Sequence, residues 1–352
     1  MPADQRLTVL NVAYPLAPVG RNAAGGAEQV LSAIDRYLVA RGHTSIVIAR
    51  ESSDSAGILE TVPAVEGELT EAEKRGACSR HRNAIARVLR NTRIDIVHMH
   101  GVDAWQYLPE TRAPVLITLH LPLFWYTPEI FTAGGPNVWL NCVSRAQHVT
   151  APSCSRMLDP VPNGVEIQPK PGHKRLFCAA LGRICPEKGF HHAISAARKA
   201  GAPLLLAGQV FAYPEHVAYF QNEIQPLLDS RRRFIGTAGF SAKRNLLSRA
   251  QCLLIPSLIA ETSSLVAMEG MMCGAPVVAF HCGALPEIVE HGKTGFLVAN
   301  EDEMAEAIHR ASDLNSDRIR CAALSRFSAA AMCESYLEIY RRLVQRGCAT
   351  AG

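Results

Sequence analysis

The sequence predicts an α/β protein built from two Rossmann-like, doubly wound parallel-sheet domains that face each other across a cleft. Three observations support this fold class. Short apolar runs alternate with helical patterns in both halves of the chain, as in βα units around a parallel sheet. The length of 352 residues suits two domains better than one core. A stretch rich in Pro and Gly separates the halves, which is typical of a linker.

The first half supplies the elements of a first domain, predicted at 1–165. Apolar runs predict strands at 7–14, 45–50, 94–100 and 114–120, and helical periodicity predicts helices at 26–41 and 72–93. The first helix follows Gly25 and Gly26 and ends at Gly42. Its period creates one apolar face, formed by Val30, Leu31, Ile34 and Leu38.

The linker is expected between 152 and 173, followed by a second domain at 172–325. Its strands are predicted at 176–181, 203–207, 233–235, 252–256 and 275–280, with a helix at 190–200. The segment 326–352 contains a final helical pattern, 329–346, which we expect to cross back to the first domain. Ligands of open parallel sheets bind at the carboxyl ends of the strands, so a site is expected there.

Composition excludes several classes of protein. The formal charge of +4, from 36 basic and 32 acidic residues, is too small for a nucleic-acid-binding domain with a basic stripe. Eleven cysteines occur without Cys-x-x-Cys or zinc-ligand spacing, so we expect reduced, mostly buried thiols. The sequence shows neither a signal-peptide pattern nor an apolar run of bilayer-spanning length. We therefore expect a cytoplasmic protein without a nucleic-acid partner.

The predicted helix at 72–93 is rich in arginine, and two interpretations stay open. The arginines are Arg80, Arg82, Arg87, Arg90 and Arg93. The first interpretation is a solvated charged face. The second is peripheral contact with anionic lipid at the inner face of the membrane, with Ile85, Val88 and Leu89 lying on the lipid surface.

The most informative segment holds two glutamates, Glu261 and Glu269, eight positions apart. We expect Glu261 in a strand-to-helix turn, and Glu269 two turns inside the helix that Ser263 and Ser264 cap. The N–H groups and the dipole of a helix N-terminus favour phosphate. Carboxylates accept hydrogen bonds from hydroxyls. The segment therefore suits a phosphate flanked by hydroxyl-rich rings, which describes a nucleotide sugar.

Two cationic residues, Arg183 and Lys188, follow a predicted strand and precede a helix. Each can pair with a phosphate oxygen at the strand end. Charge-assisted hydrogen bonds contribute about 1.5–3 kcal/mol each, so the pair could offset much of the desolvation of a diphosphate without a metal. Gly26 lies between the first strand and the first helix, where its backbone can approach a ligand closely.

His120 ends the predicted strand at 114–120. It either packs at the strand end or donates to a phosphate or sugar hydroxyl, and the sequence leaves both open. No Asp-x-Asp occurs, and the His and Cys residues show no ligand spacing. We therefore expect neither a metal nor another cofactor.

Taken together, these segments resemble the retaining glycosyltransferases of family 4, which have the GT-B architecture of two Rossmann-like domains. The resemblance extends over nearly the whole chain and is strongest from Leu181 to Val298. The motifs that carry it are Gly25-Gly26, Val97-His-Met-His100, Val161-Pro-Asn-Gly-Val165, Gly182-Arg183 with Lys188-Gly189, Glu261-x7-Glu269, and Pro286-Glu-Ile-Val289 before Gly295-Phe-Leu-Val298.

The resemblance implies an enzyme of hexosyltransferase type that acts in polysaccharide or glycolipid biosynthesis. It would move a sugar from a nucleotide-diphosphate sugar to a hydroxyl acceptor, with retention of anomeric configuration. The implied roles place Glu261 on the transferred sugar, Glu269 on the ribose, and Arg183 with Lys188 on the diphosphate.

Further roles are implied around the same ligand. Backbone N–H groups of Thr262, Ser263 and Ser264 would assist at the phosphates. Gly26 would approach the phosphates or the acceptor, and His120 would lie near the reacting sugar.

Three positions depart from the family pattern. Thr262-Ser263-Ser264 stands where Phe-Gly or Gly-Phe-Gly is common, Cys282 replaces a glycine, and Gly208-Gln-Val210 stands where Gly-x-Gly is common. Two other functions fit the same architecture. One is a nucleotide-sugar epimerase or a phosphorylase, and the other is a non-catalytic nucleotide-sugar-binding protein.

Overall fold

The computed structural model describes residues 6–65, 70–154, 156–166, 174 and 176–349, and the chain divides into two compact units. The N-terminal unit comprises Met1–Asn163 and Ala329–Gly352, and the C-terminal unit comprises Gly164–Ser328. Part of the predicted linker, 167–173, lies outside the described residues, as do the predicted domain limits 1, 172 and 352. The C-terminal unit begins at Gly164 and ends at Ser328. Its two ends are adjacent, because Val165 N donates to Phe327 O at 2.8 Å.

Each unit contains one six-stranded sheet in which every described strand pair is parallel. The strands are β1 (Thr8–Val12), β2 (Thr44–Arg50), β3 (Ile58–Val62), β4 (Ile96–Met99), β5 (Val115–Leu119), β6 (Val138–Cys142), β7 (Cys178–Leu181), β8 (Leu204–Ala207), β9 (Arg232–Phe234), β10 (Cys252–Ile255), β11 (Val277–Phe280) and β12 (Gly295–Val298).

Helices connect these strands. They are α1 (Gly26–Ala40), α2 (Glu71–Asn91), α3 (Glu129–Thr132), α4 (Arg145–His148), α5 (Phe190–Lys199), α6 (Pro214–Tyr219), α7 (Phe240–Arg249), α8 (Leu265–Met272), α9 (Leu285–Ile288), α10 (Glu301–Arg310), α11 (Ser316–Arg326) and α12 (Ala329–Ala349). All nine strands predicted above are present, with ends within two residues of the predicted ones.

The two sheets have the same strand order. It is β3-β2-β1-β4-β5-β6 in the N-terminal unit. Read from the edge strand β9, it is β9-β8-β7-β10-β11-β12 in the C-terminal unit. The order reverses between β1 and β4, and between β7 and β10, which are the switch points where doubly wound sheets bind ligands. Two Rossmann-like units are therefore confirmed.

Helices cover both faces of each sheet, which is why the strands read as apolar runs. In the C-terminal unit one core contains residues of α7, α8 and α11, and the other contains residues of α5 and α10. The predicted apolar face of α1 is confirmed, since Val30, Leu31, Ile34 and Leu38 are buried. Seven of the ten cysteines whose state is described are buried and all ten are free thiols, in agreement with the prediction.

The lipid-contact interpretation of α2 is wrong for Ile85 and Val88, two of the apolar side chains expected on the lipid surface. Ile85 and Val88 are only 1% and 5% exposed and belong to the core of the N-terminal unit. Arg82, Arg87 and Arg90 are exposed on the other side of the helix. The apolar side chains pack the helix onto the sheet, so the side that faces outward carries polar and charged residues, including these arginines.

A bilayer-crossing helix is not found in the described part of the chain, since none of its helices has both the length and the hydropathy that this requires.

A buried polar network fastens α12 to the sheet of the N-terminal unit. His98 of β4 has its Nδ1 2.6 Å from the hydroxyl of Tyr340 and its Nε2 2.7 Å from Oγ1 of Thr118. Thr118 in turn donates to Oδ1 of Asn141 at 2.7 Å. Burial lowers the pKa of His98 well below 6.5, so its ring is neutral and each nitrogen makes a single hydrogen bond. The helix is thus held by directional contacts as well as by packing.

Replacing Tyr340 with Phe should destabilise the N-terminal unit by about 1–3 kcal/mol, because a ring nitrogen of the buried His98 loses its partner. Urea unfolding followed by tryptophan fluorescence measures this, since all three tryptophans lie in that unit. Tyr336→Phe is the matched control. Tyr336 is equally buried on the same helix, but its hydroxyl lies 3.4 Å and 3.5 Å from its partners. An equal cost for the two variants would contradict the network.

Candidate active site

The switch point of the C-terminal unit holds the predicted donor residues other than Gly26. β7 and β10 are parallel neighbours, and a crevice forms at their carboxyl ends because the chain leaves them in opposite directions. The chain after β7 passes through a 3-10 turn, Pro186–Lys188, into α5. The chain after β10 passes through residues 256–264 into α8. We call these segments the β7 loop (residues 182–189) and the β10 loop (residues 256–264).

Lys188 and Glu261 connect the two loops. Nζ of Lys188 lies 2.6 Å from Oε1 of Glu261, and the two side chains are 26% and 9% exposed. Ser257 donates its hydroxyl to the same carboxylate oxygen at 2.5 Å. The structure therefore brings together two of the predicted site residues in a largely desolvated ion pair.

Two glycines allow the loops to approach so closely. Gly189 has φ +60°, and a Cβ on it would lie 2.3 Å from the carbonyl oxygen of Pro256. Gly283, after β11, has φ +55°, and its Cβ would lie 2.4 Å from the backbone N and O of Glu261. Any side chain at either position would push the β10 loop away and displace Glu261.

Glu269 forms a separate ion pair. It is the fifth residue of α8 and lies in its second turn, not two turns inside as predicted, because the helix begins at Leu265. Its carboxylate is 2.5 Å from Nζ of Lys243 in α7. Burial raises the pKa of Glu269, and the Lys243 charge opposes this shift. A carboxylate has about four acceptor sites, so Glu269 can still accept hydrogen bonds from hydroxyls.

The N-terminus of α8 follows directly on the β10 loop. Ser264 occupies the N-cap position, but among the described residues its side chain makes no capping hydrogen bond. The hydroxyl of Ser263 is buried, likewise without a hydrogen bond in that part of the chain. The predicted N-cap position is therefore confirmed for Ser264, whereas within the described ranges neither serine caps the helix through its side chain. Thr262 precedes them in the loop, and the first N–H groups of the helix have no partner within the helix itself.

Arg183 lies in the β7 loop, five residues before Lys188, and is partly buried. Its charge acts on two neighbours in the loop, Cys185 and Glu187. The loop therefore brings a second cation to the same strand end.

Gly26 and His120 belong to the N-terminal unit. Gly26 is exposed and begins α1 on the carboxyl side of β1. His120 directly follows β5, and its Nε2 lies 3.0 Å from Nδ1 of His100, which directly follows β4. Burial lowers the pKa of His120 to about 3. The ring is therefore neutral at neutral pH, and it can exchange hydrogen bonds but supplies no charge.

Comparison with known families agrees with this geometry. Residues 24–155 match the family model described as Glycosyltransferase Family 4, and residues 175–313 match the one described as Glycosyl transferases group 1. Both halves of the chain are therefore similar to glycosyltransferase families.

Curated relatives of these glycosyltransferase domains match part of the chain. Alpha-maltose-1-phosphate synthase of Mycolicibacterium smegmatis is 32% identical over 193 residues, which are 48% of each chain. D-inositol 3-phosphate glycosyltransferase of Mycobacterium avium is 32% identical over 194 residues, 49% of this chain and 44% of the relative. The matches thus span about half the length of these relatives.

Solved structures match the glycosyltransferase domains over nearly the whole chain. AviGT4, a glycosyltransferase involved in avilamycin A biosynthesis, is 25% identical with a TM-score of 0.74, covering 96% of this chain and 98% of that chain. Sucrose-phosphate synthase from Thermosynechococcus elongatus has a TM-score of 0.79 at 18% identity, covering 96% and 100%. The fold is GT-B.

Two residues at the site were missed by sequence reasoning. Lys243 lies 26 positions before Glu269, and Ser257 lies in the β10 loop. Lys243 reaches the site through the packing of α7 against α8, which no linear spacing encodes. Ser257 lies two residues after the end of β10, and this position near a strand end could have identified it as a site residue.

Acid should destabilise the N-terminal unit through His120. Its folded pKa of about 3 lies below the ordinary value of 6.5, so the unfolded chain takes up the proton first. This contribution of His120 to the unfolding free energy is present above about pH 6.5 and is lost as the pH falls below that value. Between about pH 7.5 and about pH 5, His120 alone should remove about 2 kcal/mol of unfolding free energy.

Urea unfolding followed by tryptophan fluorescence at the two pH values measures this loss. His120→Gln should reduce the difference between the two pH values by about the same 2 kcal/mol. The control is His309→Gln, because His309 is exposed and belongs to the C-terminal unit, so this variant should leave the pH dependence of the N-terminal unit unchanged. A His120→Gln protein with the original pH dependence would contradict the neutral buried ring.

Proposed function

We propose that this chain transfers a sugar from a nucleoside-diphosphate sugar to a hydroxyl acceptor, with retention of anomeric configuration and without a metal ion. The observation that carries the proposal is the Lys188–Glu261 ion pair at the switch point of the C-terminal sheet, where doubly wound sheets bind nucleotides. The glycosyltransferase families matched by both halves of the chain support sugar transfer.

The chemistry of the site and a structural neighbour support the proposed donor class. A protein of Anabaena, of TM-score 0.74 and 18–19% identity, has been crystallised with UDP and glucose and with UDP-glucose. In the proposal the diphosphate lies at the N-terminus of α8, near the backbone of Thr262, Ser263 and Ser264. Glu261 accepts hydrogen bonds from the transferred sugar and Glu269 accepts them from the ribose.

The chemical role of Lys188 follows from its hydrogen-bonding capacity. An ammonium group has three N–H donors, and Glu261 occupies one of them. The others can bind phosphate oxygens while the ion pair persists. As the glycosidic bond breaks, negative charge grows on the diphosphate, and a fixed cation in a desolvated site stabilises it strongly. The leaving phosphate then takes the proton of the attacking hydroxyl on the same face of the sugar, which gives retention.

Arg183 and Lys188 together take the place that a divalent cation holds in other phosphate sites. Two charge-assisted hydrogen-bond donors and a helix N-terminus can meet the charge of the departing diphosphate. The proposal therefore includes no catalytic metal and no other cofactor.

The N-terminal unit contributes Gly26 and His120 in this proposal. The exposed backbone of Gly26 would approach the phosphates or the acceptor. The neutral ring of His120 would exchange a hydrogen bond with the reacting sugar, since its lowered pKa leaves it uncharged.

Arginines also line a cavity of about 820 Å³ between α2 and residues 105–113. Its basic lining includes Arg82, Arg90, Arg93 and Arg112. A peripheral contact with anionic lipid headgroups would depend on such charges alone, because Ile85 and Val88 are in the core.

The donor can be identified by a thermal-shift panel of UDP-glucose, GDP-glucose and ADP-glucose. A donor at about 100 times its Kd should stabilise the folded chain by about 2.7 kcal/mol. That corresponds to a Tm increase of roughly 5–10 °C for the C-terminal unit. Incubating that donor with and without an acceptor set then separates the functions. Conversion without acceptor would indicate an epimerase, and a shift without any turnover would indicate a binding protein.

Lys188→Ala should lower kcat by about 100- to 1000-fold, with a much smaller change in KM for the donor, because charge on the diphosphate grows in the transition state. Steady-state release of nucleoside diphosphate measures both constants. Lys199→Ala is the matched control, since Lys199 lies in the adjoining helix α5, is exposed and pairs with Asp302. It should leave both constants unchanged. Equal losses in kcat and in donor affinity would contradict the assigned role.

A further inference from the structure

A second cluster of side chains lies on the other side of the β7 loop. Cys185 and Glu187 belong to this loop, and His216 belongs to α6, which follows β8. One ligand-capable atom from each lies within 4.8 Å of the other two. The sheet order β10-β7-β8 places Glu261 on one side of the β7 loop and His216 on the other. None of the three residues has a role in the proposed transfer.

His216 is the unusual member of the cluster. Its side chain is 92% buried, since its exposed fraction is 8%, and its Nδ1 has no hydrogen-bond partner among the described residues. The rings of Phe211 and Tyr213 pack against it, with centroids 6.4 Å and 5.1 Å away. A buried imidazole nitrogen without a partner loses the hydrogen bond that it would make in water. A metal ion is one group that can restore such a contact.

The other two members already interact. The Cys185 thiol donates to the backbone carbonyl of Arg183 at 3.6 Å, and burial together with the neighbouring Glu187 carboxylate raises the pKa of the thiol to about 11. Burial alone would raise the pKa of Glu187, but its backbone hydrogen bond, the Cys185 contact and the nearby charge of Arg183 oppose this and the pKa is lowered. The cluster therefore holds an ionised carboxylate, a thiol and an imidazole.

We propose that Cys185, Glu187 and His216 form a Zn²⁺ site with water as the fourth ligand. Thiolate, imidazole and carboxylate are the ligand types that Zn²⁺ takes in proteins, and mixed sets of three leave one position open. Ligand atoms of a tetrahedral Zn²⁺ lie roughly 3.3–3.8 Å apart, so the cluster needs only side-chain rotation to close around the ion. The thiolate and the carboxylate balance the two positive charges of the ion.

Zn²⁺ at this site would order the β7 loop. Backbone contacts carry the effect to the ion pair, because the carbonyl of Glu187 accepts a hydrogen bond from Leu258 N at 2.8 Å. Leu258 lies in the β10 loop, which also contains Ser257 and Glu261. A better ordered ion pair should bind the donor more tightly, so Zn²⁺ should increase donor affinity. This expectation rests on the proposed function, whereas Zn²⁺ binding itself does not.

Binding must displace a proton. The Cys185 thiol is protonated at neutral pH, and only the thiolate coordinates Zn²⁺, so the S–H proton passes to the buffer as the Zn–S bond forms. The balance is one proton released for each ion bound by this thiol. Isothermal titration in buffers of different ionisation enthalpy measures that number.

Titration of the full-length, reduced protein with ZnCl₂ tests the site, and CoCl₂ provides a spectroscopic probe. We expect one tight ion per chain, release of about one proton, and a thiolate-to-cobalt absorption band in the near ultraviolet. Cys185→Ser should abolish the band and weaken Zn²⁺ binding by at least about tenfold, and His216→Asn should weaken it similarly. Circular dichroism shows whether each variant is folded.

Matched controls separate this site from adventitious binding to other cysteines and histidines. Cys321→Ser and His309→Asn change exposed residues of the same types in the same unit and should leave the tight site intact. Tight binding that survives in folded Cys185→Ser, or that is lost equally in the controls, would overturn the proposal. The absence of any tight ion in the original protein would do the same, whatever the result of the donor assays.

Discussion

The ion pair between Lys188 and Glu261 is the interaction on which the candidate active site depends. Removing two charges from water costs several kcal/mol for each ion, and a buried pair offsets this only with good geometry and additional hydrogen bonds. Both conditions are met, by the 2.6 Å separation and by the hydroxyl of Ser257. The main chain reinforces the pair, since Leu258 N donates to the carbonyl of Glu187. Contacts within the protein therefore fix the two loops and both charges relative to each other.

Each glutamate of the Glu261-x7-Glu269 motif is neutralised by its own lysine, and this constrains how a diphosphate can be bound. Lys188 balances Glu261, and Lys243 balances Glu269. The local charge from these four groups is close to zero, so it does not attract a dianionic ligand by itself. In the proposed function the net attraction would come from Arg183 and from the N–H groups at the start of α8. Lys188 would then contribute direction at short range, through the N–H donors that Glu261 does not occupy.

Most of the fold follows from local sequence, whereas part of the site does not. Buried parallel strands read as apolar runs, which is why nine of the twelve described strands were predicted from the sequence. The strand Ile58–Val62 was missed because it lies at a sheet edge and its residue Ile58 is 54% exposed, and Val138–Cys142 was missed because its apolar run is very short. Lys188 and Glu261 were both predicted as site residues because each follows a strand, but their ion pair was not predicted. Lys243 was not predicted as a site residue, because its position depends on how two helices pack.

The β7 loop has contacts on both sides, so the proposed metal-free transfer and the proposed Zn²⁺ site are compatible. Toward β10 the loop presents Lys188 to Glu261, and toward β8 it presents Cys185 and Glu187 to His216. An ion held by a thiolate and a carboxylate adds little net charge, so it would change the field at the diphosphate only slightly. Its effect would instead be mechanical, because fixing the side chain of Glu187 limits the motion of the backbone that carries Lys188. Catalysis that depends on the exact position of one cation is sensitive to that motion even when the electrostatic field hardly changes.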